Sequence, residues 1–248
     1  MKGLILAAGQ GTRLAELNLT HKSFAEVNKK HIIDFSLDLL TEKGKQEAIC
    51  SELIVVVGYH AKSIMDYIGN SYNGVPVKYA FQAERKGIAH AVMTAKDILD
   101  DDFIMCLADE ILFNPRLSNM VSTFYKHEAE CVCGCVYDPT DFSMKPIAYE
   151  IADNITVTKV MEKPKNYSNG FRGVGECIFS KNCLEFLDEL QPNPIRGEYE
   201  MGDWIQLIVN AGRKVEVFHL ADAYYNINSV KDLKNAEEEL KMLHDKSC

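Results

Sequence analysis

The sequence lacks the features that would place it on nucleic acid or in a bilayer. Its 27 Lys and Arg against 36 Asp and Glu leave a net charge of −9, so it offers no broad basic face for a phosphate backbone. No apolar run approaches bilayer-spanning length. The opening MKGLILAAG has a short apolar stretch, a single charge at its start and a glycine turn directly after it. It therefore reads as a buried first strand and not as a secretory leader. No Pro-, Gly- or Ser-rich linker, internal repeat or composition break divides the 248 residues. One domain over 1–248 is expected, long enough to bury a sizeable core. A metal-type cysteine pattern is missing too: the eight cysteines include no CxxC pair. Cys131, Cys133 and Cys135 alternate, so a strand would turn all three to one face. They read as buried free thiols of a reduced, cytoplasmic protein in preference to a metal site.

What is there is an alternation of short apolar runs and helical patterns. Strands are expected at 4–8, 53–58, 77–81 and 103–108, with helices at 32–43, 61–68 and 87–99 between them. The second half is less regular. Strands are expected at 130–136, 147–151, 156–162, 174–179 and 214–218, and helices near 181–190, 200–211 and 229–243, with Gly212 capping the second of these. The pattern predicts a three-layer α/β/α sandwich with a mixed central sheet. Ligands of such sheets sit beyond the carboxyl ends of the parallel strands. Segments 9–14, 58–60, 82–87 and 108–111 leave those ends and are expected to line one cleft.

The most specific signal is GLILAAGQGTRL, residues 3–14. A buried strand runs into small residues whose backbone can approach a phosphate chain. Arg13 adds a planar donor fork and Lys22 a point charge. A P-loop would need a Gly-Lys-Ser/Thr ending, and the dinucleotide fingerprint a third glycine where this chain has Leu14; the second point disfavours a nicotinamide oxidoreductase.

This string resembles the signature of the sugar-1-phosphate nucleotidyltransferases, which include the glucose-1-phosphate thymidylyl- and uridylyltransferases. The resemblance extends to IVVVGYHAKSIMDYIG (54–69), QAERKGIAHAV (82–92) and EKP (162–164). It implies a Rossmann-like fold of the nucleotide-diphospho-sugar transferase type, with a nucleotide-binding half at 1–112 and an acceptor-binding half at 113–248. By resemblance, Ala7, Ala8, Gly9, Gly11 and Thr12 hold the nucleotide, and Gln82, Gly87 and Ile88 form the base site. Arg13, Lys22 and Lys163 are the catalytic cations. Glu162, Lys163, Arg172, Gly173 and Asp203 face the acceptor, with Glu198 nearby. Asp109 holds Mg²⁺, and Glu110 is an alternative ligand. Where the family often has a second Asp near the C-terminus, this chain has Asn226 and Asn228, either of which could be the counterpart, and Asp222 lies upstream.

The implied reaction is transfer of NMP from an NTP, a pyrimidine one being favoured, to a small phosphorylated acceptor such as a sugar 1-phosphate. Nucleic acid and membrane are excluded as partners, and oligomeric state is left open. Two alternatives stand beside this reading. THKSF (20–24) in place of a PKP-type segment leaves room for a cytidylyltransferase of a non-sugar phosphate or phosphonate. Asn226 and Ala108 leave room for a non-catalytic subunit that binds a nucleotide sugar.

Overall fold

The computed structural model of the chain describes residues 1–10, 17, 19–42, 48–137, 147–164 and 171–246, with side chains to Met242. Fourteen strands follow in chain order: β1 Lys2–Ala7, β2 Glu26–Val27, β3 Lys30–His31, β4 Leu53–Val57, β5 Ser71–Tyr72, β6 Val75–Phe81, β7 Phe103–Leu107, β8 Glu110–Phe113, β9 Cys131–Tyr137, β10 Ile147–Ala152, β11 Thr156–Glu162, β12 Phe171–Phe179, β13 Val215–His219 and β14 Ala223–Asn226. The helices are α1 Ile32–Thr41, α2 Ala61–Ile68, α3 Ile88–Ala95, α4 Leu117–His127, α5 Met201–Asn210 and α6 Val230–Lys246.

Ten strands make one sheet, in the order β10-β11-β13-β9-β12-β7-β1-β4-β6-β5. Its main parallel part is β7-β1-β4-β6, where Leu4 sits opposite Ile54 and Met105; β13 also pairs parallel with β9. β6 is exposed at alternate positions, whereas β4 is buried at every position, as expected of a near-continuous Val/Ile run covered on both faces. β12 enters antiparallel between β7 and β9 and joins the two halves of the chain.

Helices cover both faces. Ile33, Leu37 and Leu40 of α1, Ile64 and Ile68 of α2, and Met120 and Phe124 of α4 pack on one side. Ala91 and Val92 of α3 and Trp204, Ile205 and Ile208 of α5 pack on the other. The three-layer mixed sandwich is the architecture the sequence predicts. Cys131, Cys133 and Cys135 all enter the α3/α5 core, while Val132 and Val136 enter the opposite one, as strand alternation requires. The thiols are free and fully buried, and burial pushes that of Cys131 up to about 12.

Besides helix α4 and the short strands β2, β3 and β5, which the sequence pattern does not suggest, three local features differ from expectation. The apolar stretch near 181–190 forms a 3₁₀ helix, Lys181–Asp188. The helix expected over 87–99 ends at Ala95 and continues as 3₁₀ turn Lys96–Ile98. A second small sheet, β8 against β14, carries the chain from Asp109 back beside Asn226.

Candidate active site

Beyond the carboxyl ends of β1, β6 and β7 lies a cleft of about 440 Å³. Its walls bring together Ala7, Ala8, Gly9 and Lys22 from the first loop, Gln82, Gly87 and Ile88 from the β6–α3 connection, and Asp109, Asn226 and Asn228 from the small sheet. Glu162, Lys163 and Gly173 close the far side. Gly11, Thr12 and Arg13 lie outside the described residues. Segment 58–60 stands behind the wall: a Cβ on Gly58 would lie 3.0 Å from both Ala8 Cβ and the Gln82 carbonyl oxygen, so its small size lets those two segments close up.

At the phosphate end, Lys22 Nζ reaches across the cleft and ion-pairs with Asp109 Oδ2. A side chain on Gly9 would lie 3.3 Å from Lys22 Cε, so the glycine admits the lysine stem. Lys22 opens a 3₁₀ turn whose cap, the buried His21, accepts the Ser23 N–H on Nδ1 at 3.2 Å. Burial lowers the His21 pKa to about 4, so this acceptor stays neutral.

At the base end, Gln82 is 4% exposed and Gly87 has φ +104°. A Cβ on Gly87 would sit 2.5 Å from the Tyr199 carbonyl oxygen. Only glycine suits this start of α3.

Beside Asp109, Glu110 turns inward and is fully enclosed. It accepts from Gly175 N–H at 2.8 Å, Tyr224 hydroxyl at 2.8 Å and Asn226 Nδ2 at 3.2 Å. Burial, and then the Asp109 charge, raise its pKa to about 7. The buried Glu176 carboxyl is likewise pushed well up, by burial and by Glu110. Glu110 is thus a wall carboxyl that organises Asn226, Tyr224 and the β12 backbone. Asp109 is the carboxylate that faces the cleft. Asp222 is taken up by Arg116 and by Asn114 Nδ2, away from the cleft.

The residues suit a hard cation in donor chemistry. Asp109 supplies a carboxylate, and Asn226 and Asn228 supply amide oxygens. The Ile227 N–H donates to the Asp109 carbonyl at 2.8 Å and so ties the two segments together. Among the described residues no three His, Cys, Asp or Glu side chains converge as metal ligands, so an all-charged cage is not what this site offers. Asn228 Nδ2 donates to Asn226 Oδ1, and Asn226 Nδ2 to Glu110. That chain occupies Asn226 on both ends and leaves the Asn228 oxygen without a partner among the described residues.

At the acceptor end, Glu162 and the buried Glu200 lie around Lys163, whose Nζ is 4.0 and 3.7 Å from them. Arg196 Nε donates to Glu200 at 2.5 Å. Glu162 accepts the Gly202 N–H at 3.3 Å. Burial, and then Glu200, raise its pKa to about 7. Arg172 and Asp203 do not line the cleft. The Arg172 guanidinium lies over the Tyr224 ring, 5.1 Å from its centroid, and Asp203 sits in the first turn of α5. Sequence reasoning missed Arg85, Ser23 and Glu200 as wall residues. Their positions one to three residues from Lys22, Gln82 and Asp203 were the available signal.

A cleft that sets a glycine-rich strand end, two lysines and a strand-end carboxylate around one cavity is the site of a nucleotidyl-transferring enzyme. The chain belongs to the nucleotidyl transferase family, whose model matches residues 2–242; it is a nucleotidyltransferase. It is 32% identical over 241 residues to a UTP–glucose-1-phosphate uridylyltransferase of Haloferax volcanii, covering 97% of this chain and 96% of that one. It is 29% identical to a glucose-1-phosphate thymidylyltransferase of Streptomyces griseus, covering 94% of this chain and 64% of the relative. The fold is shared with a UDP-glucose pyrophosphorylase solved with UDP-glucose, at TM-score 0.83 and 20% identity, over 97% of this chain and 98% of that one. No helix among the described residues is long and apolar enough to cross a membrane.

Proposed function

We propose that the protein transfers NMP from a pyrimidine NTP to a sugar 1-phosphate and releases pyrophosphate. The observation that carries this reading is that Lys22 with Asp109 and Lys163 with Glu162 line one and the same cleft. Two anions have to meet there, and the two lysines bring one cation for each phosphate. The acceptor phosphate oxygen attacks the α-phosphorus in line, and pyrophosphate leaves. No protein nucleophile is needed, and the acceptor is already ionised near neutral pH. The chain therefore contributes position and charge. The Ala7–Gly9 backbone lines the triphosphate end, with Lys22 and Arg13 countering its charge. Lys163 holds the acceptor phosphate, and Glu162 and Glu200 accept from the sugar hydroxyls. Mg²⁺, held by Asp109 with an amide oxygen of Asn226 or Asn228, would supply further charge neutralisation at the phosphates.

The non-catalytic alternative gains nothing from the site, because Lys22, Asp109 and Lys163 all reach the cleft. The uridylyl- and thymidylyltransferase names of the two relatives favour a sugar phosphate over a phosphocholine-like acceptor. The test is a matrix of the four NTPs and dTTP against glucose 1-phosphate, N-acetylglucosamine 1-phosphate and phosphocholine, read by pyrophosphate release with Mg²⁺. Release with a pyrimidine triphosphate and a sugar 1-phosphate is expected. Release only with phosphocholine, or with no pair at all, would overturn the reading.

A further inference from the structure

The base end of the cleft holds a contact that the proposed reaction does not use. The Gln82 amide nitrogen has two neighbours, His90 Nδ1 at 2.8 Å and the Gly87 carbonyl oxygen at 3.5 Å. A carbonyl oxygen only accepts, so the amide end turned toward it is the NH₂. His90 Nδ1 then accepts the shorter bond, and the ring carries its proton on Nε2. The groups facing His90 are Lys86 and Glu84 from the segment before α3, and Tyr199, whose ring centroid is 5.9 Å away. Burial first, and Lys86 second, lower the His90 pKa below the ordinary value, so the ring is neutral at physiological pH.

With its nitrogen held, Gln82, which lines the cleft, has an oxygen to offer a ligand: Oε1 has no partner among the described residues. The Gly87 and Ile88 N–H groups at the start of α3 also carry none, as the first donors of a helix do. We propose that His90 is a positioning residue for base choice: by accepting from Gln82 it fixes an acceptor beside backbone donors, an arrangement that takes a uracil or thymine edge over cytosine. The inference rests on the reading above for the pyrimidine nucleotide as ligand. Uracil and thymine set the O4 acceptor beside the N3–H donor. Cytosine has a lone pair at N3, which would meet the Gln82 oxygen. An unheld amide could turn over and present its NH₂ to cytosine N3, although the cytosine amino group would still face the backbone donors. A donor at position 90 would turn it over deliberately.

The experiment compares UTP and CTP dissociation constants by calorimetry, without acceptor, on the full chain. Wild type is expected to bind UTP about tenfold more tightly than CTP, the value of one hydrogen bond matched against one lost. His90→Glu, which only accepts, should keep that ratio. His90→Ala should lower it, and His90→Lys, which only donates, should lower it further. Circular dichroism checks the fold of each variant. In wild type, the ratio should stay level from about pH 8 to about pH 6.5 and shrink below that toward about pH 5, since His90 takes up its proton below the ordinary histidine value and still above the range where cytosine takes up a proton. This profile carries the test even where a variant fails to fold. An unchanged ratio in folded His90→Lys and His90→Ala, a pH-independent wild-type ratio, or no uracil preference would overturn the assignment. Turnover is scored separately: failure to release pyrophosphate with any acceptor counts against the proposed reaction, while the binding ratio still judges His90.

Discussion

Lys22 and Asp109 ion-pair across the phosphate end of the cleft, each side chain only about one-sixth exposed, at 15% and 16%. The proposed reaction assigns one to a phosphate and the other to the metal, yet here each neutralises the other. Removing one partner leaves a mostly buried charge with no counter-ion. Lys22→Met and Asp109→Asn are each expected to destabilise the fold by about 1–3 kcal/mol, and the double variant should recover part of that loss. Activity should behave differently. Each single change should cost about 10²–10³-fold in turnover, and the double should restore none of it. Urea melts and pyrophosphate release on the same four proteins check both statements. Recovery of turnover in the double variant would show that the pair is structural alone.

A second expectation concerns Gly87. Its φ of +104° and ψ of 177° lie in a region that only glycine enters without strain, and a Cβ would strike the Tyr199 backbone. Gly69 offers the control, with φ +72° and nothing within 4 Å of a Cβ. Gly87→Ala should cost about 1–3 kcal/mol, more than Gly69→Ala, and should weaken UTP binding, which Gly69→Ala should leave alone. Equal costs and an unchanged UTP affinity would mean that the Gly87–Tyr199 approach does not shape the base site.

The fold was legible in the sequence where the signal is periodic and buried. β4 reads as an unbroken Val/Ile run because both its faces are covered, and the phosphate loop is legible because small residues follow a buried strand. The small β8–β14 sheet was not, because its strands are short and lie far apart in the sequence, with α4 to β13 between Asp109 and Asn226. The helix α4 escaped for a related reason: Leu117, Met120 and Phe124 are its only buried residues, spaced among polar ones. At the site, Asp109, Lys22, Gln82 and Lys163 stand out by motif. Glu200 does not, because its importance comes from what it touches, Arg196 and Lys163; His90 lies inside the QAERKGIAHAV string, but its part shows only in the contact with Gln82. Arg172 illustrates the converse, a residue that follows the cleft in sequence but lays its guanidinium on the Tyr224 ring.

Glu162 should tie stability and acceptor binding to pH in opposite senses. Its pKa is raised to about 7 by burial and by Glu200, above its ordinary value. A carboxyl raised in the folded state contributes stability that is full below the ordinary value and is lost as pH rises through about 7. Glu162→Gln should therefore be more stable than wild type at about pH 8, with the gap closing near pH 5. The same variant should bind the sugar 1-phosphate less well at pH 8, since the ionised carboxylate is the better hydroxyl acceptor. Denaturation at the two pH values and the acceptor KM measure these. A stability gap of equal size at both would contradict the raised pKa.

The last expectation concerns the neutral side of the metal site. Asn226 donates from Nδ2 to Glu110 Oε1 and accepts on Oδ1 from Asn228. Asn226→Asp would therefore set a carboxylate against a buried carboxyl and remove the donor that Glu110 uses. Asn228 meets no carboxylate through its side chain; its N–H is held by Asp232 at 3.0 Å. Asn228→Asp gives up only the bond to Asn226 Oδ1 and adds an anion at the cleft it lines, and the added charge should strengthen Mg²⁺ binding, since attraction between charges this close is only partly screened. Asn228→Asp is thus expected to lower the Mg²⁺ concentration for half-maximal rate and keep its fold. Asn226→Asp is expected to lose about 1–3 kcal/mol of stability through the broken contact with Glu110, whatever it does to the metal. Mg²⁺ titrations of pyrophosphate release, with melts alongside, separate the two. If Asn228→Asp leaves the Mg²⁺ requirement unchanged while a folded Asn226→Asp lowers it, then Asn226 is the ligand and the chain of amides must rearrange to free its oxygen. If neither variant moves the requirement, the amide side of this site takes no part in holding the ion.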